Sequence, residues 1–479
     1  MRYSIYKILI FVIIGELIIS ASLSLELAVI YSTFLLMSII FKRLNSRLSL
    51  IADRTFDIML LSIIFSYFLR PLILYYHPEF YYYSKTTSAL SKDVLINEMF
   101  IILINTFFLY LGFTISNSLM NLRRKNGILK DKITINWNLN KDKFLINNFK
   151  AIAILLSTLV FIRVFLNVFL EVGVKGRAIN SSWAFLSRFA PEDLIISIII
   201  VYFIFYKTYL TRGQKVVLWL NLFFITVALL ATGSKASALL IGVSVLTYYL
   251  IVERKFKAIR VAAISLVLLI LIPFSFNLGD QIKYSIYSGD KSIVNIFSKS
   301  LDNFLTKSPV QSYNQVTSRF IGVDGSIAKS KLGNSQQLYV IFGIEETLYR
   351  SLDMVLPFGS FKNTVNSGKA VSLYIQNMPD DVQNAGAIGG YASLDLMFGN
   401  IPFVGIFLFG LAQGLIIKLI SRIKNLSFLY LIFFSYTFFV INAIMSGNYD
   451  FIIAIFLIKI ILFFVYYKFI KGLKSIKYA

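Results

Sequence analysis

The chain of 479 residues contains no cysteine and one histidine, His77. Without cysteine it has no disulfide, no thiolate nucleophile and no cysteine-ligated metal. One histidine cannot build a histidine-cluster zinc site, and it supplies at most one imidazole base. Zinc sites and thiolate chemistry are therefore not expected, and we expect no cofactor.

Two nucleotide-binding patterns are also absent. The sequence has no GxxxxGK[ST] motif, and no GxGxxG follows a predicted strand, so an ATP-driven pump is not expected. No internal repeat is visible either, and the inverted repeat of many secondary transporters is therefore missing at the level of sequence.

Long apolar runs dominate what is present. Hydrophobic residues make up 57% of the chain and aromatic residues 16%, which is typical of a polytopic membrane protein. The runs are roughly 17–25 residues long, the length that a helix needs to cross a bilayer. Hydropathy predicts about twelve spans: 5–21, 25–41, 57–74, 94–120, 149–170, 194–206, 216–232, 236–252, 261–277, 395–420, 426–445 and 451–467.

The basic residues fall in every second gap between these runs. About 28 of the 47 lysines and arginines lie on this side, against only four or five acids. This positive-inside pattern predicts that both termini face the cytoplasm. The net charge of +23 then reflects the orientation of the chain in the membrane. Nucleic-acid binding is the competing interpretation, but the charge is spread over many short loops and no basic domain carries it.

One gap on the opposite side is far longer than the others. It covers residues 278–394, and shorter outer gaps cover 75–93 and 171–193. Apolar residues at helical spacing predict that 278–394 is a mostly helical cap and not a disordered loop. The predicted domains are therefore 1–277 with spans one to nine, 278–394 as the outer loop, and 395–479 with the last three spans.

Several cations lie in the predicted outer half of the bilayer: Arg70, Arg163, Lys235 and Lys459. Charges inside a membrane are costly and usually face a cavity. Guanidinium groups bind phosphate oxygens bidentately, so these cations suit a phosphate or lipid diphosphate. The alternative is snorkelling, in which each long side chain lifts its charge to the interface.

Three short motifs carry a resemblance to a known family. Residues 386–414 read GAIGGYASLDLMFGNIPFVGIFLFGLAQG, residues 232–237 read TGSKAS, and Ser318-Arg319-Phe320 is followed by Asp324. Together with the twelve spans and the large loop, they resemble O-antigen and oligosaccharide repeat-unit polymerases of the Wzy type. Lys235 stands where that family usually has arginine, and a lysine cannot make the same forked contact.

The resemblance implies an all-α integral membrane protein of the GT-C-like class in the bacterial inner membrane. Its activity would be metal-independent glycosyl transfer at the periplasmic face, in lipopolysaccharide or other polysaccharide biosynthesis. The substrate would be an oligosaccharide linked to undecaprenyl diphosphate, within membrane lipid. A chain-length regulator and a flippase are expected as partners by family, and nucleic acid is not.

The resemblance also implies roles for individual residues. Arg319 and Arg350 on the cap, with Arg163, Arg70 and Lys235 beneath them, would clamp diphosphate and neutralise developing charge. An acid would accept the proton of the acceptor hydroxyl, and Asp395, Asp324, Glu345 and Glu346 are the candidates. We expect Asp395 first, because it lies at the membrane mouth beside a glycine-rich turn.

Structural roles stay open for the same residues. Arg319 can be a solvated loop charge, and Arg350 can pair with Glu346 one helical turn back. Gly405, Gly410 and Gly414 suit close helix packing better than catalysis.

Other functions of the chain stay open too. It can be an O-antigen ligase, although that family relies on a histidine in its large loop. It can also be a lipid-linked oligosaccharide flippase or transporter, or a structural membrane protein.

Overall fold

The computed structural model describes part of the chain: residues 24–45, 51–81, 90–125, 144–170, 186, 189–206, 208–231, 273–274, 277–282, 293–308, 311, 314, 322–332, 342–355, 371, 389–399, 403–420, 436, 439–441, 443–444 and 447–476. Within these residues every regular element is a helix and no strand occurs. The predicted all-α architecture is thus confirmed for the described part of the chain.

The described α-helices are named here in chain order: α1 Leu25–Asn45, α2 Ile51–Ile63, α3 Arg70–Tyr76, α4 Lys92–Lys125, α5 Phe144–Asn147, α6 Phe149–Val164, α7 Glu192–Phe205, α8 Arg212–Ala231, α9 Ile293–Thr306, α10 Gly322–Leu332, α11 Ile344–Val355, α12 Gly390–Met397, α13 Val404–Ile420 and α14 Tyr449–Ile476. Two π-helical turns, Ile64–Leu69 and Phe165–Phe169, and a 3₁₀ turn, Pro78–Phe80, complete the described elements.

Within the described residues, four helical segments are long and apolar enough to cross a membrane, and they indicate a membrane protein. They are Thr55–Tyr76, Lys92–Ser116, Phe149–Phe169 and Arg212–Leu229. Four shorter apolar helices accompany them: Leu25–Ile40, Leu194–Phe203, Val404–Leu419 and Ile452–Tyr466.

These eight segments fall on eight of the twelve predicted spans. The other four predicted spans, 5–21, 236–252, 261–277 and 426–445, lie wholly or mostly outside the described residues. The number twelve therefore stays a prediction. One predicted boundary differs: the span predicted at 395–420 consists of two helices, α12 and α13, and only α13 belongs to the apolar segment.

The surface of α8 fits lipid better than water. Val216, Trp219, Leu220, Phe223 and Val227 stand at helical spacing on one face, and each is exposed. A contiguous stripe of large apolar side chains on an outer surface marks a region that contacts membrane or another apolar partner. On a helix of this length, a lipid-facing stripe is the expected arrangement.

The segment that contains α2 and α3 is interrupted by a π-helical turn, and the sequence gives the reason. Pro71 is near the start of α3. Its nitrogen carries no hydrogen, and its ring crowds the carbonyl of Tyr67 one turn earlier. The helix accommodates this by widening over Ile64–Leu69, immediately before Arg70.

Glycine permits the close packing of α4 against α13. A Cβ at Gly112 would overlap the carbonyl oxygen of Phe407, and a Cβ at Gly410 would overlap that of Leu109. At Gly414 it would meet the side chain of Ser116. The two backbones therefore approach as closely as small-residue helix pairs in membranes do.

The chain packs as two compact units. The first comprises Met1–Asn136, Thr317–Arg422 and Phe439–Ile455, and the second comprises Trp137–Val316, Ile423–Phe438 and Phe456–Ala479. The predicted cap, residues 278–394, contributes to both units. Its existence as a separate domain stays a prediction.

We predict that Gly410→Ala destabilises the first unit by about 1–3 kcal/mol, because the added methyl group has no room against the backbone of α4. Gly213→Ala is the matched control. Nothing lies within 4 Å of a Cβ at Gly213, near the start of α8. Thermal unfolding in detergent should separate the two variants, and equal melting temperatures would contradict the packing described for α4 and α13.

Candidate functional site

The candidate site is built around α10, a polar helix from the predicted cap that packs in the first unit. It contacts α4, α12 and the π-helical turn Ile64–Leu69. Val323, Asp324, Ile327 and Ala328 are buried on it. Three of its side chains, Asp324, Lys329 and Ser330, bind residues of α3, α12 and α4 respectively.

The first link is a buried ion pair between Asp324 and Arg70. Arg70 Nε lies 3.0 Å from Asp324 Oδ2, and Arg70 Nη2 lies 3.2 Å from Asp324 Oδ1. The guanidinium therefore binds the carboxylate through two of its nitrogens. Nη2 also donates to the carbonyl of Phe80 at 2.7 Å. Both charged side chains have 0% exposure. Such a pair resists separation because either partner alone would be a buried charge.

The second link joins Lys329 to Asp395. Lys329 Nζ lies 2.9 Å from Asp395 Oδ2, and the two side chains are 22% and 13% exposed. Asp395 Oδ1 is buried and makes no hydrogen bond within the described residues, although the backbone N–H of Phe403 also favours the charged carboxylate. Burial raises the pKa of Asp395, and the Lys329 ammonium opposes that rise. One carboxylate oxygen is therefore held by a cation, while the other is enclosed by the protein without a hydrogen bond among the described residues.

The third link is a hydrogen bond from Ser330 to Glu98. Ser330 Oγ donates to Glu98 Oε1 at 2.5 Å, and Glu98 is 4% exposed within α4. Glu98 and Asp395 also interact electrostatically through the space near Lys329. The cluster thus contains the cations Arg70 and Lys329 and three carboxyl groups.

Two tyrosines position α12, and therefore Asp395. The Tyr391 backbone nitrogen donates to Tyr67 Oη at 3.0 Å, and the Tyr391 and Thr106 hydroxyls are 2.9 Å apart. The two tyrosine rings stack obliquely with centroids 4.6 Å apart. Gly389 precedes α12 with a φ of 84°, a conformation that favours glycine. The short helix that carries Asp395 is therefore held through both the backbone nitrogen and the side-chain hydroxyl of Tyr391.

A separate ion pair attaches α11 to the beginning of α14. Arg350 Nε lies 3.0 Å from Asp450 Oδ2, and the side chains are 4% and 2% exposed. Ser351 Oγ donates to the Asp450 carbonyl at 3.0 Å. Asp450, which the sequence did not single out, thus provides a partner for Arg350.

In the second unit, Arg163 is also paired. Its Nη1 lies 3.1 Å from Glu192 Oε1, and its Nε donates to the Ala190 carbonyl at 2.5 Å. Arg163 is 14% exposed and Glu192 is 27% exposed. This pair is more accessible than the pair of Arg70 with Asp324.

The predicted site residues therefore divide into three groups. Arg70, Asp324 and Asp395 gather around α10, whereas Arg350 is paired at α14 and Arg163 belongs to the second unit. Two predicted residues, Arg319 and Lys235, lie outside the described residues.

Sequence reasoning missed three of the partners: Lys329, Glu192 and Asp450 were not among the predicted site residues. One signal was available: Lys329 and Ser330 follow Asp324 by five and six residues, so all three lie within two turns of one predicted helix. Which acid each cation meets depends on tertiary packing.

Comparison with protein-family models, with curated proteins and with solved structures found no match for this chain. The resemblance of its three short motifs is therefore the sole pointer to a family.

We predict that Asp324→Ala lowers the stability of the first unit by about 3–5 kcal/mol, because it leaves Arg70 buried without its carboxylate. The double variant Arg70→Met with Asp324→Leu should recover most of this loss. Glu79→Ala, which breaks the exposed pair of Glu79 with His77, is the control and should change little. Thermal unfolding in detergent measures all three. If Asp324→Ala melts like Glu79→Ala, the pair is not a structural link.

Proposed function

We propose that this chain is a repeat-unit polymerase of the bacterial inner membrane. It would transfer a growing glycan from undecaprenyl diphosphate onto an incoming lipid-linked repeat unit at the periplasmic face. The observation that carries the proposal is the state of Asp395, a buried carboxylate with Oδ2 held by Lys329 and Oδ1 without a hydrogen bond among the described residues. A carboxylate with one unbonded oxygen can act as a general base once a substrate hydroxyl reaches that oxygen.

In the proposed reaction, a hydroxyl oxygen of the incoming repeat unit attacks the anomeric carbon of the growing glycan. The glycosidic bond forms as the bond from that carbon to the diphosphate oxygen breaks. The hydroxyl proton moves to Asp395 Oδ1, and the electron pair leaves with the carrier diphosphate. Charge and atoms balance without any further reactant.

Lys329 has two effects on Asp395 in this proposal. Its ammonium group fixes the orientation of the carboxylate through Oδ2. It also favours the ionised form, which is the form that can accept a proton. Burial acts in the opposite direction and makes the carboxylate more basic.

The ion pairs change which of the predicted cations remain candidates for binding the diphosphate. Arg70 and Arg350 have carboxylate partners in nearly water-free surroundings, so a ligand would have to displace a buried acid to reach them. We therefore assign both a positioning role. Arg163 is partly exposed and its pair is more easily opened, so it stays a diphosphate candidate together with Lys235 and Arg319.

A lipid-linked oligosaccharide flippase or transporter is the second candidate function. Glu98 is a buried acid within an apolar membrane helix, and it lies in the electrostatic field of Lys329 and Asp395. Ionisable clusters of this kind also line substrate and proton pathways in transporters.

The test is complementation of a strain that lacks its repeat-unit polymerase but carries the matching glycan cluster. A gel of the surface polysaccharide should show a ladder with the natural chain and a single repeat without it. Asp395→Asn should reduce polymerisation by about 10²–10⁴-fold, because the proton acceptor is lost. Asp302→Asn, on the exposed face of α9, is the control for expression and should keep the ladder.

Two results would overturn the proposal that this chain is a polymerase. If chains elongate without this protein but are not attached to the lipid core, it is a ligase. If lipid-linked units accumulate at the cytoplasmic face, it is a flippase. An Asp395→Asn variant with an unchanged ladder would leave the polymerase in place and remove Asp395 as its base.

The pH dependence of polymerisation gives an independent check. Because burial raises the pKa of Asp395, the rate should fall on acidification through an apparent pKa above the ordinary aspartate value of about 3.9. Lys329→Met removes the opposing cation and should move this apparent pKa higher still. Purified protein in liposomes with lipid-linked repeat units provides the assay. A lower apparent pKa in Lys329→Met would contradict the assigned role of Lys329.

A further inference from the structure

The helix α11 is amphipathic in the reverse sense from a helix on a water-soluble protein. Ile344, Leu348, Tyr349 and Leu352 are 40–49% exposed. At 100° per residue they occupy one continuous arc of about 140°. Glu345, at the first turn, is the one charged residue within that exposed arc.

The opposite face of α11 is polar and buried. Thr347, Arg350 and Ser351 are 3%, 3% and 1% exposed. Arg350 is paired with Asp450, and Ser351 donates to the Asp450 carbonyl. Three polar side chains of α11, Thr347, Arg350 and Ser351, thus turn toward the protein, while four of its apolar side chains turn away.

This orientation is unfavourable in water and favourable in lipid. In water the exposed arc would remain hydrated over four large apolar side chains, and large exposed apolar patches mark a contact with a membrane or a partner. At a bilayer surface the same arc is buried among acyl chains, as in interfacial amphipathic helices. The polar face keeps its partners inside the protein in either case.

The attachment of α11 fixes its level relative to the membrane. Asp450 lies two residues before the apolar segment Ile452–Tyr466 of α14. The ion pair with Arg350 therefore holds α11 at the beginning of α14, next to the start of that apolar segment. This continuity with an apolar membrane segment favours lipid as the occupant over a protein partner.

We propose that α11 lies in the plane of the bilayer surface, with Ile344, Leu348, Tyr349 and Leu352 inserted among lipid acyl chains. The Arg350–Asp450 pair is its anchor. Glu345 lies at the amino-terminal turn, where the helix dipole favours an acid and where a flexible side chain reaches the headgroups. The proposal holds whatever reaction the chain performs.

Because the natural sequence contains no cysteine, a single introduced cysteine can be labelled without removing others. Single-cysteine variants Leu348→Cys and Leu352→Cys carry a nitroxide label in liposomes of phosphatidylethanolamine and phosphatidylglycerol. Electron paramagnetic resonance then compares label relaxation by oxygen, which partitions into lipid, and by a water-soluble nickel chelate. Both sites should show oxygen accessibility severalfold above nickel accessibility.

Two further labels calibrate the measurement. Phe223→Cys, on the apolar stripe of α8, should report lipid, and Asp302→Cys, on the polar face of α9, should report water. Labels at 348 and 352 that respond like the label at 302 would overturn the proposal. Labels shielded from both reagents would also overturn it, because protein would then cover the face. Arg350→Met should lower the oxygen accessibility at both sites by releasing the anchor.

Discussion

The bidentate ion pair between Arg70 and Asp324 is the interaction on which the arrangement of the first unit depends. It places a polar helix, α10, among apolar segments with neither charge exposed. Breaking it would leave a bare charge in a medium of low dielectric constant, so the pair holds its position strongly. Once α10 is fixed in this way, Lys329 and Ser330 reach Asp395 and Glu98.

The same physical constraint changes how the cations of this chain are understood. A positive charge near apolar helices requires a counter-charge, and a ligand phosphate is one source and a protein carboxylate is another. For Arg70, Arg163 and Arg350 the protein itself supplies the carboxylate. The degree of burial then separates them: the tightly enclosed pairs of Arg70 and Arg350 hold helices together, whereas the pair of Arg163 with Glu192 is partly exposed.

Much of the fold could be predicted from the sequence, because helix length and apolar composition are local properties. All eight described apolar segments fall on predicted spans. The interruption before Arg70 also follows from a local cause, Pro71. The candidate site was less predictable. Asp395 and Asp324 stood out by their positions, but Lys329, Glu192 and Asp450 did not, since nothing local shows which charges meet.

The amino-acid sequence by itself determined the class of protein, the helices that are apolar enough to enter a membrane, and the cations and acids that need partners there. Only the tertiary structure decided the pairing. It joined Asp324 to Arg70 and Asp450 to Arg350, across 254 and 100 residues of chain, and it left one buried oxygen of Asp395 without a hydrogen bond among the described residues. The reason is physical. The apolar character of a segment depends on residues within a few helical turns, whereas the partner of a buried charge is whichever group the packing brings within about 3 Å.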